Sequence, residues 1–301
     1  MKILLLGKNG QVGRELQRAL APLGELVPVG RNDADLEQPE ALRSLVRAVG
    51  PDVLVNAAAY TAVDRAESEP ERAMRVNAGA VEVLAREMKL RDSWLVHYST
   101  DYVFDGAKPG AYDESDAPNP QSVYGRSKLA GEEAIRASGC RHLVLRTSWV
   151  YSVHGGNFAK TILRLARERT EIRVVSDQIG APTGADLVAD VTALALHRLS
   201  TDQELAGRAG GLYHLSAAGS TSWHGYARLL IESARAAGPA LRVTPDRVLP
   251  IASAEYPTPA RRPANSLLDT ARLCATFGLA MPSWEAGVRR LSLQLNETET
   301  P

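Results

Sequence analysis

Apolar positions in the first half of the chain come in short unbroken runs, separated by longer stretches in which they recur every three or four residues. "KILLL" at 2–6 is such a run, as a strand covered on both faces requires. In residues 11–21, Val12, Leu16, Ala19 and Leu20 share one helical stripe. "LVPV" at 26–29 predicts a second strand, and Pro28 points to a sheet edge or strand end because proline cannot donate to a ladder. "PEALRSLVRAV" at 39–49 predicts a helix entered through proline. Further strands are expected at 52–59, 94–100 and 142–148, with helices at 70–90 and 124–138. Strand–helix alternation at this spacing implies βαβ units and a parallel, doubly wound sheet. Ligands of such a sheet bind beyond the carboxyl ends of its strands. Residues 7–13, 56–61, 99–101 and 147–149 fall at those ends.

After residue 150 the alternation weakens. Pro and Gly punctuate "DQIGAPTGAD" at 177–186 and "EYPTPARRPANS" at 255–266. The expected organisation is α/β: a Rossmann-type sheet domain over 1–150, with returns near 157–180 and 186–216. A smaller interleaved lobe at 217–301 joins loops near 148–156 and 177–186 to take substrate. "EIRVV" at 171–175 and "LYHLS" at 212–216 are candidates for further strands of the first sheet, and the tail at 296–301 is expected to fray.

Composition narrows the function. The 301 residues carry no formal net charge, which argues against binding nucleic acid through a basic face. The start "MKILLLGKNG" has too short an apolar run for a signal peptide, and no segment approaches the ~20 apolar residues of a membrane span. A cytoplasmic location with no membrane partner is expected. Cys140 and Cys274 are far apart, lack metal spacing and read as reduced thiols.

"GKNGQVG" places Gly7, Gly10 and Gly13 after the first strand and at the mouth of the first helix. Glycine lets the backbone approach a pyrophosphate, and the helix start offers free N–H groups. The G-x-x-x-x-G-K-[ST] spacing of a P-loop is absent, so Lys8 does not make this one. At the end of the second strand stands "VGRNDADL". Arg31 suits the 2′-phosphate of NADPH, while Asp33 keeps NADH open. Asp35 and Leu36 fit around an adenine.

Tyr124 and Lys128, four apart, lie on one helix face. Such a pair alone is compatible with a plain helix surface. If it is an acid–base pair, the ammonium is expected to bring the phenol down from its ordinary pKa of about 10, so that it can protonate an oxygen as hydride arrives at carbon. Ser99, Thr100 and Asp101 end the fourth strand in "YSTDYVF", where a hydroxyl can bind the reacting oxygen.

Glycine turn, hydroxyl-bearing strand end and Tyr-x-x-x-Lys helix occur in the order of the extended short-chain dehydrogenases/reductases, which the chain resembles. The stretches "VNAAAYTAVDRAESEP", "YSTDYVFDG", "VYGRSKLAGE", "RTSWVY", "NFAKT", "DQIGAPTGADL", "GLYHL" and "YPTPARRPANSLLDT" carry the resemblance further, to the family of dTDP-4-dehydrorhamnose reductases, over nearly the whole chain. That resemblance implies NAD(P)H-dependent reduction of a nucleotide-linked 4-keto sugar. It implies Tyr124 as proton donor, Lys128 as its modulator and ribose ligand, and Thr100 with Asp101 at the substrate. Gly10, Gln11 and Val12 would line the pyrophosphate, and Asp35, Leu36, Ala59, Tyr60 and Thr61 would complete the cofactor site. Trp149 would contact the sugar nucleotide, and Arg262 and Asn265 are candidates to reach its diphosphate or sugar. Some members form Mg²⁺-bridged homodimers, and the matching carboxylates here are Glu15, Asp186 and Glu285. Asp at 186, where relatives can have Glu, shortens the reach to an ion that wants octahedral geometry.

Other polar residues read more plainly. His97 and His142 are expected as satisfied residues of strands, and His154 and His224 as loop or helix-start residues. Asn77, inside a predicted helix, is a candidate link to the active-site strand. Two alternatives stay open: another nucleotide-sugar reductase or epimerase on the same scaffold, and a non-catalytic NADP-binding regulatory subunit resembling that of methionine adenosyltransferase.

Overall fold

A computed structural model describes residues 1–238 and 241–297. The chain begins with β1 (Lys2–Leu6), α1 (Gln11–Leu20), β2 (Glu25–Val29), α2 (Pro39–Val49) and β3 (Val53–Asn56). Then come α3 (Val63–Ala66), α4 (Pro70–Met74), a π-helical turn (Arg75–Gly79), α5 (Ala80–Leu90), β4 (Trp94–Thr100), α6 (Val123–Ser138) and β5 (Arg141–Thr147). The helix expected over 70–90 is thus one helical stretch interrupted by the π turn. The third strand stops at Asn56 rather than 59, because the Asn56 side chain accepts the Ala58 N–H at 3.2 Å and turns the chain out of the ladder.

The second half contributes β6 (Val150–Tyr151), α7 (Phe158–Glu168), β7 (Ile172–Val175), β8 (Ile179–Gly180), β9 (Thr183–Gly184), α8 (Ala185–Thr201) and α9 (Gln203–Arg208). It ends with β10 (Gly211–His214), β11 (Thr221–Ser222), α10 (Trp223–Ala237), β12 (Val248–Ile251), α11 (Ala271–Phe277) and α12 (Trp284–Glu297). The fraying expected at 296–301 falls, from residue 298 on, outside the described residues. No helix among the described residues is long and apolar enough to cross a membrane.

Six parallel strands form the central sheet in the order β10-β5-β4-β3-β1-β2. Pro28 lies on the edge strand β2. The unbroken apolar run of β1 is explained by the pleat. Ile3 and Leu5 face one side, against Leu16 and Leu20 of α1, Val188 and Leu196 of α8, and Phe277 of α11. Leu4 and Leu6 face the other, against Leu42 and Val46 of α2, Leu84 and Met88 of α5, and Ile135 of α6. Burying each such side chain contributes about 1.5–3 kcal/mol, so both faces hold the sheet rigidly. The expected strand at 212–216 joins this sheet as β10. The one at 171–175 does not. As β7 it pairs with β12, because Ile172 and Val174 belong to a separate apolar core with Ile162 of α7, Leu230 and Ile231 of α10 and Val288 of α12.

Candidate active site

The turn after β1 is set by close approach. Gly7 has φ +86°, and a Cβ there would lie 2.8 Å from the Ala57 carbonyl carbon. A Cβ on Gly13 would lie 2.0 Å from the Gly7 carbonyl oxygen. Neither position admits another residue without moving backbone. Gly10 caps α1 without a side chain, so the first N–H groups of the helix stay free for an anion.

From this turn a cavity of about 660 Å³ runs along the strand ends. Gly7, Gly10, Gln11, Val12, Arg31, Asp35, Leu36, Ala59, Tyr60 and Thr61 line one part of it, and Thr100, Asp101, Tyr124, Lys128 and Trp149 the other. Gly13 lies beneath the turn and outside the lining. A long cleft with glycine-tight backbone at a helix start fits a dinucleotide. Asn9 and Arg72, which the sequence reading did not single out, also line it.

At the end of β2, Asp33 is turned back on its own loop. It accepts from the Gly30 N–H at 2.9 Å and from Lys8 Nζ at 3.0 Å, and these contacts hold its carboxyl below the ordinary value. Arg31 remains in solvent, 3.1 Å from Glu37. The other wall of this end is braced by Asn77 in the π turn. Its amide accepts from Tyr60 N–H at 2.8 Å and donates to Tyr60 O at 3.0 Å and Ser127 Oγ at 2.9 Å. Asn77 thereby ties the 59–61 loop to α6, and the π turn is the irregularity that aims it there.

Helix α6 begins where Ser122 Oγ accepts the Gly125 N–H at 3.1 Å, and it presents Tyr124, Lys128 and Glu132 toward the sheet. Strand β4 answers with His97 and Ser99, two residues apart on one face. Lys128 Nζ stands 3.1 Å from His97 Nε2, and Ser99 Oγ donates to Glu132. Arg146 of β5 grips Glu132 through two hydrogen bonds of 2.9 and 2.6 Å. His97 Nδ1 lies 3.2 Å from the Asn56 amide of β3. Asn56, His97, Ser99, Lys128, Glu132 and Arg146 are buried, and Tyr124 is half-buried at the cavity wall.

Burial dominates the electrostatics here. It pushes the Tyr124 phenol well above its ordinary value, against a hydrogen bond with Thr100 that pulls it down. It lowers Lys128 to about 8, against the attraction of Glu132. It raises Asp101 to about 6, outweighing the Ser266 and Thr100 hydroxyls. The expectation that Lys128 makes Tyr124 more acidic is therefore not met: the ammonium is itself disfavoured, and its nitrogen is engaged by His97.

Trp149 has φ +49°, an uncommon conformation for a bulky residue. Its ring stacks on Trp223 with centroids 3.6 Å apart, at the edge of the cavity. Arg262 and Asn265 do not line the cavity. Arg262 binds Asp64 at 2.8 Å and the Tyr102 hydroxyl at 2.9 Å. Asn265 donates to the Lys108 and Gly110 carbonyls, both at 2.7 Å, so it braces the proline-rich loop. Of the three expected metal carboxylates, Glu15 and Asp186 line a second cavity together, and Glu285, in the first turn of α12, lies outside its lining. Glu15 pairs with Arg18 at 3.6 Å and Asp186 with Arg290 at 2.5 Å. Among the described residues no group of three His, Cys, Asp or Glu side chains could hold an ion.

Sequence reasoning took His97 as a plain strand residue and placed Asn56 among the ligand positions at 56–61, but it did not see that the two meet beside Lys128. A signal was present. His97 and Ser99 are polar positions two apart in an apolar strand, matching Lys128 and Glu132 four apart on a helix.

The sequence matches the RmlD substrate binding domain family over residues 1–296. A dTDP-4-dehydrorhamnose reductase of Salmonella typhimurium is 49% identical over 304 residues, covering 100% of both chains. That of Escherichia coli K12 is 50% identical over 304 residues, covering 100% of this chain and 99% of its own. The crystal structure of dTDP-4-dehydrorhamnose reductase from Bacillus anthracis in complex with NADP is 35% identical, with a TM-score of 0.87 over 97% of this chain and 99% of that one.

Proposed function

The chain belongs to the RmlD substrate binding domain family, and from that premise we propose that it reduces the C4 keto group of dTDP-4-dehydro-L-rhamnose with NAD(P)H, forming dTDP-L-rhamnose in the last step of its synthesis. The observation that carries this reading is a single cavity joining a glycine-tight dinucleotide cradle to Tyr124, Thr100 and Lys128. The curated relatives from Salmonella typhimurium and Escherichia coli bear the same activity in their names.

Gly7, Gly10, Gln11 and Val12 would hold the pyrophosphate, and Asp35, Leu36, Ala59, Tyr60 and Thr61 the adenosine and its surroundings. Arg31, free of the ladder and in solvent, favours a 2′-phosphate, while Asp33 is occupied by Gly30 and Lys8. The bound nicotinamide supplies hydride to the sugar carbon. Thr100 orients the carbonyl oxygen by hydrogen bonding. Tyr124 gives its phenolic proton to that oxygen: the phenol O–H breaks and the new sugar hydroxyl forms. Burial keeps Tyr124 protonated near neutrality, the state a donor needs. Lys128, beneath it, would bind the nicotinamide ribose and offset the phenolate. The sheet half (1–150) would serve the cofactor. The second core of α7, β7, α10, β12 and α12, which takes in part of the expected sheet return at 157–180 and leaves α11 on the sheet, would with the loops near 148–156 and 177–186 take the nucleotide sugar against Trp149. As an NAD(P)H consumer the enzyme would work in the cytoplasm, and as a homodimer, which sedimentation would check.

The test follows oxidation of NADPH, then NADH, with dTDP-4-dehydro-L-rhamnose as acceptor. Wild type oxidises cofactor, whereas Tyr124→Phe binds it normally and loses about 10²–10⁴-fold in turnover. Binding without oxidation by wild type would instead favour another keto sugar or a regulatory subunit.

A further inference from the structure

The buried contact between Lys128 and His97 places two groups that are both usually donors 3.1 Å apart. The hydrogen bonds around them decide which one donates. Asn56 Oδ1 accepts the Ala58 N–H at 3.2 Å, which fixes the orientation of the amide. Its Nδ2 therefore faces His97 Nδ1, 3.2 Å away, and an amide nitrogen only donates. His97 Nδ1 must accept. The single proton of a neutral imidazole then sits on Nε2 and points at Lys128 Nζ. An ammonium has no acceptor for it, whereas an uncharged amine does.

We propose that His97 is a positioning residue acting through Lys128: it donates Nε2–H to the lysine nitrogen and so lowers the pH at which Lys128 takes its proton. Asn56 sets the tautomer, and Ala58 N–H sets Asn56. The register of the sheet makes this arrangement possible, since Asn56 and His97 are direct partners on β3 and β4.

The other groups around Lys128 do not reverse the argument. From its own helix come Tyr124, whose phenol burial keeps protonated, and Glu132. Glu132 favours the ammonium, but Arg146 from β5 binds it twice and Ser99 from β4 donates into it. Asp101, past the end of β4, lies against Thr100 and acts on Tyr124. The π turn contributes Asn77, which does not titrate, and Glu67, after α3, accepts the N–H of Val123 at the helix start. Burial and the neighbouring Lys128 hold His97 itself well below its ordinary value, so the ring stays neutral. Burial also lowers Lys128, in the same direction as the contact.

The consequence for the reading above is that, above about pH 8, Lys128 would gain its charge when the site fills, drawing a proton from solution on cofactor binding. The proposal deepens that reading, but its test uses ligand-free protein. A failed reductase assay would leave the tautomer standing, and a wrong tautomer would leave turnover untouched.

The chain has six histidines and six lysines, few enough to resolve by selective isotope labelling. Nitrogen-15 spectra of ligand-free wild type should show His97 as the Nε2–H tautomer above about pH 8, where Lys128 is uncharged, assigned by its loss in His97→Leu. Carbon-13 spectra of the lysines should show Lys128 titrating below the other five. In His97→Leu that midpoint should rise by about one pH unit, the scale of one hydrogen bond removed from the neutral form. Asn56→Asp presents an acceptor to Nδ1, so it should switch His97 to Nδ1–H and also raise the Lys128 midpoint. It keeps the proposal testable if His97→Leu does not fold. An Nδ1–H or imidazolium His97 in wild type, or an unchanged Lys128 midpoint in the folded variants, would overturn the assignment.

Discussion

At the end of β2, Arg31 meets Glu37 at 3.1 Å with 66% of the arginine side chain in solvent. At the end of β5, Arg146 meets Glu132 at 2.6 Å with 3% of the arginine side chain exposed. Both pairs join guanidinium to carboxylate, but Arg31 and Glu37 line the cavity while Arg146 and Glu132 lie outside its lining, and they do different work. The exposed pair is screened and exchangeable, which leaves Arg31 available to a ligand. The buried pair cannot exchange with water, so it fixes α6 to the sheet and decides where Lys128 and Tyr124 stand. Burial, more than residue type, separates the binding end of the cleft from its chemical end.

The sharpest way to break this comparison is to remove one partner of the buried pair. Glu132→Ala leaves Arg146 charged and unpaired in the interior, so it should destabilise the fold by about 3–5 kcal/mol in urea denaturation. A loss below about 1 kcal/mol would put this pair in the same class as Arg31–Glu37. Next comes Lys128→Met. The folded value of Lys128 is lowered from 10.5 to about 8. Its contribution to stability is thus present in full above the unfolded value and lost as pH falls from 10.5 to 8. Below pH 8 the lysine destabilises the ligand-free protein. The methionine variant should therefore be more stable at neutral pH, by about 1–3 kcal/mol, with the difference closing toward pH 10.5. Thermal unfolding across pH checks the sign, and a difference constant from pH 7 to 10.5 would count against it.

At the exposed end the expected effects are smaller and depend on salt. Arg31→Ala should weaken NADPH about tenfold relative to NADH at low ionic strength, and less at high salt. Titration of both cofactors tests this, and equal losses would remove Arg31 from the phosphate site. Arg31→Ala should itself change stability by less than about 1 kcal/mol, because Arg72 still holds Glu37 at 2.9 and 3.0 Å, measured by the unfolding midpoint at two salt concentrations.

The legible part of the protein was the part that repeats. The apolar runs of β1 and β4, the spacing of glycines around Gly10 and the Tyr124–Lys128 interval all follow local rules, and the parallel sheet and the cleft at its strand ends came from them. Where a residue's role depends on what faces it across space, the sequence could not name its partner. Arg262 and Asn265 have the chemistry to bind a diphosphate, but Asp64, Tyr102 and two loop carbonyls already hold them. Glu15 and Asp186, far apart in sequence, come to one cavity, where Arg18 and Arg290 pair with them. Residues 171–175 have the pattern of a sheet strand, and only the second apolar core decided which strand they pair with.

Sequence by itself determined the elements, the βαβ order and the kinds of group brought to the cleft, because periodicity and turn chemistry act over a few neighbouring residues. Tertiary structure alone decided their ionisation and partners. Asn56, His97 and Lys128 are 41 and 31 residues apart in the chain and meet only when β3, β4 and α6 pack together. Protonation inside that contact follows from lost solvent and from the direction of each hydrogen bond, and neither exists until the chain has folded.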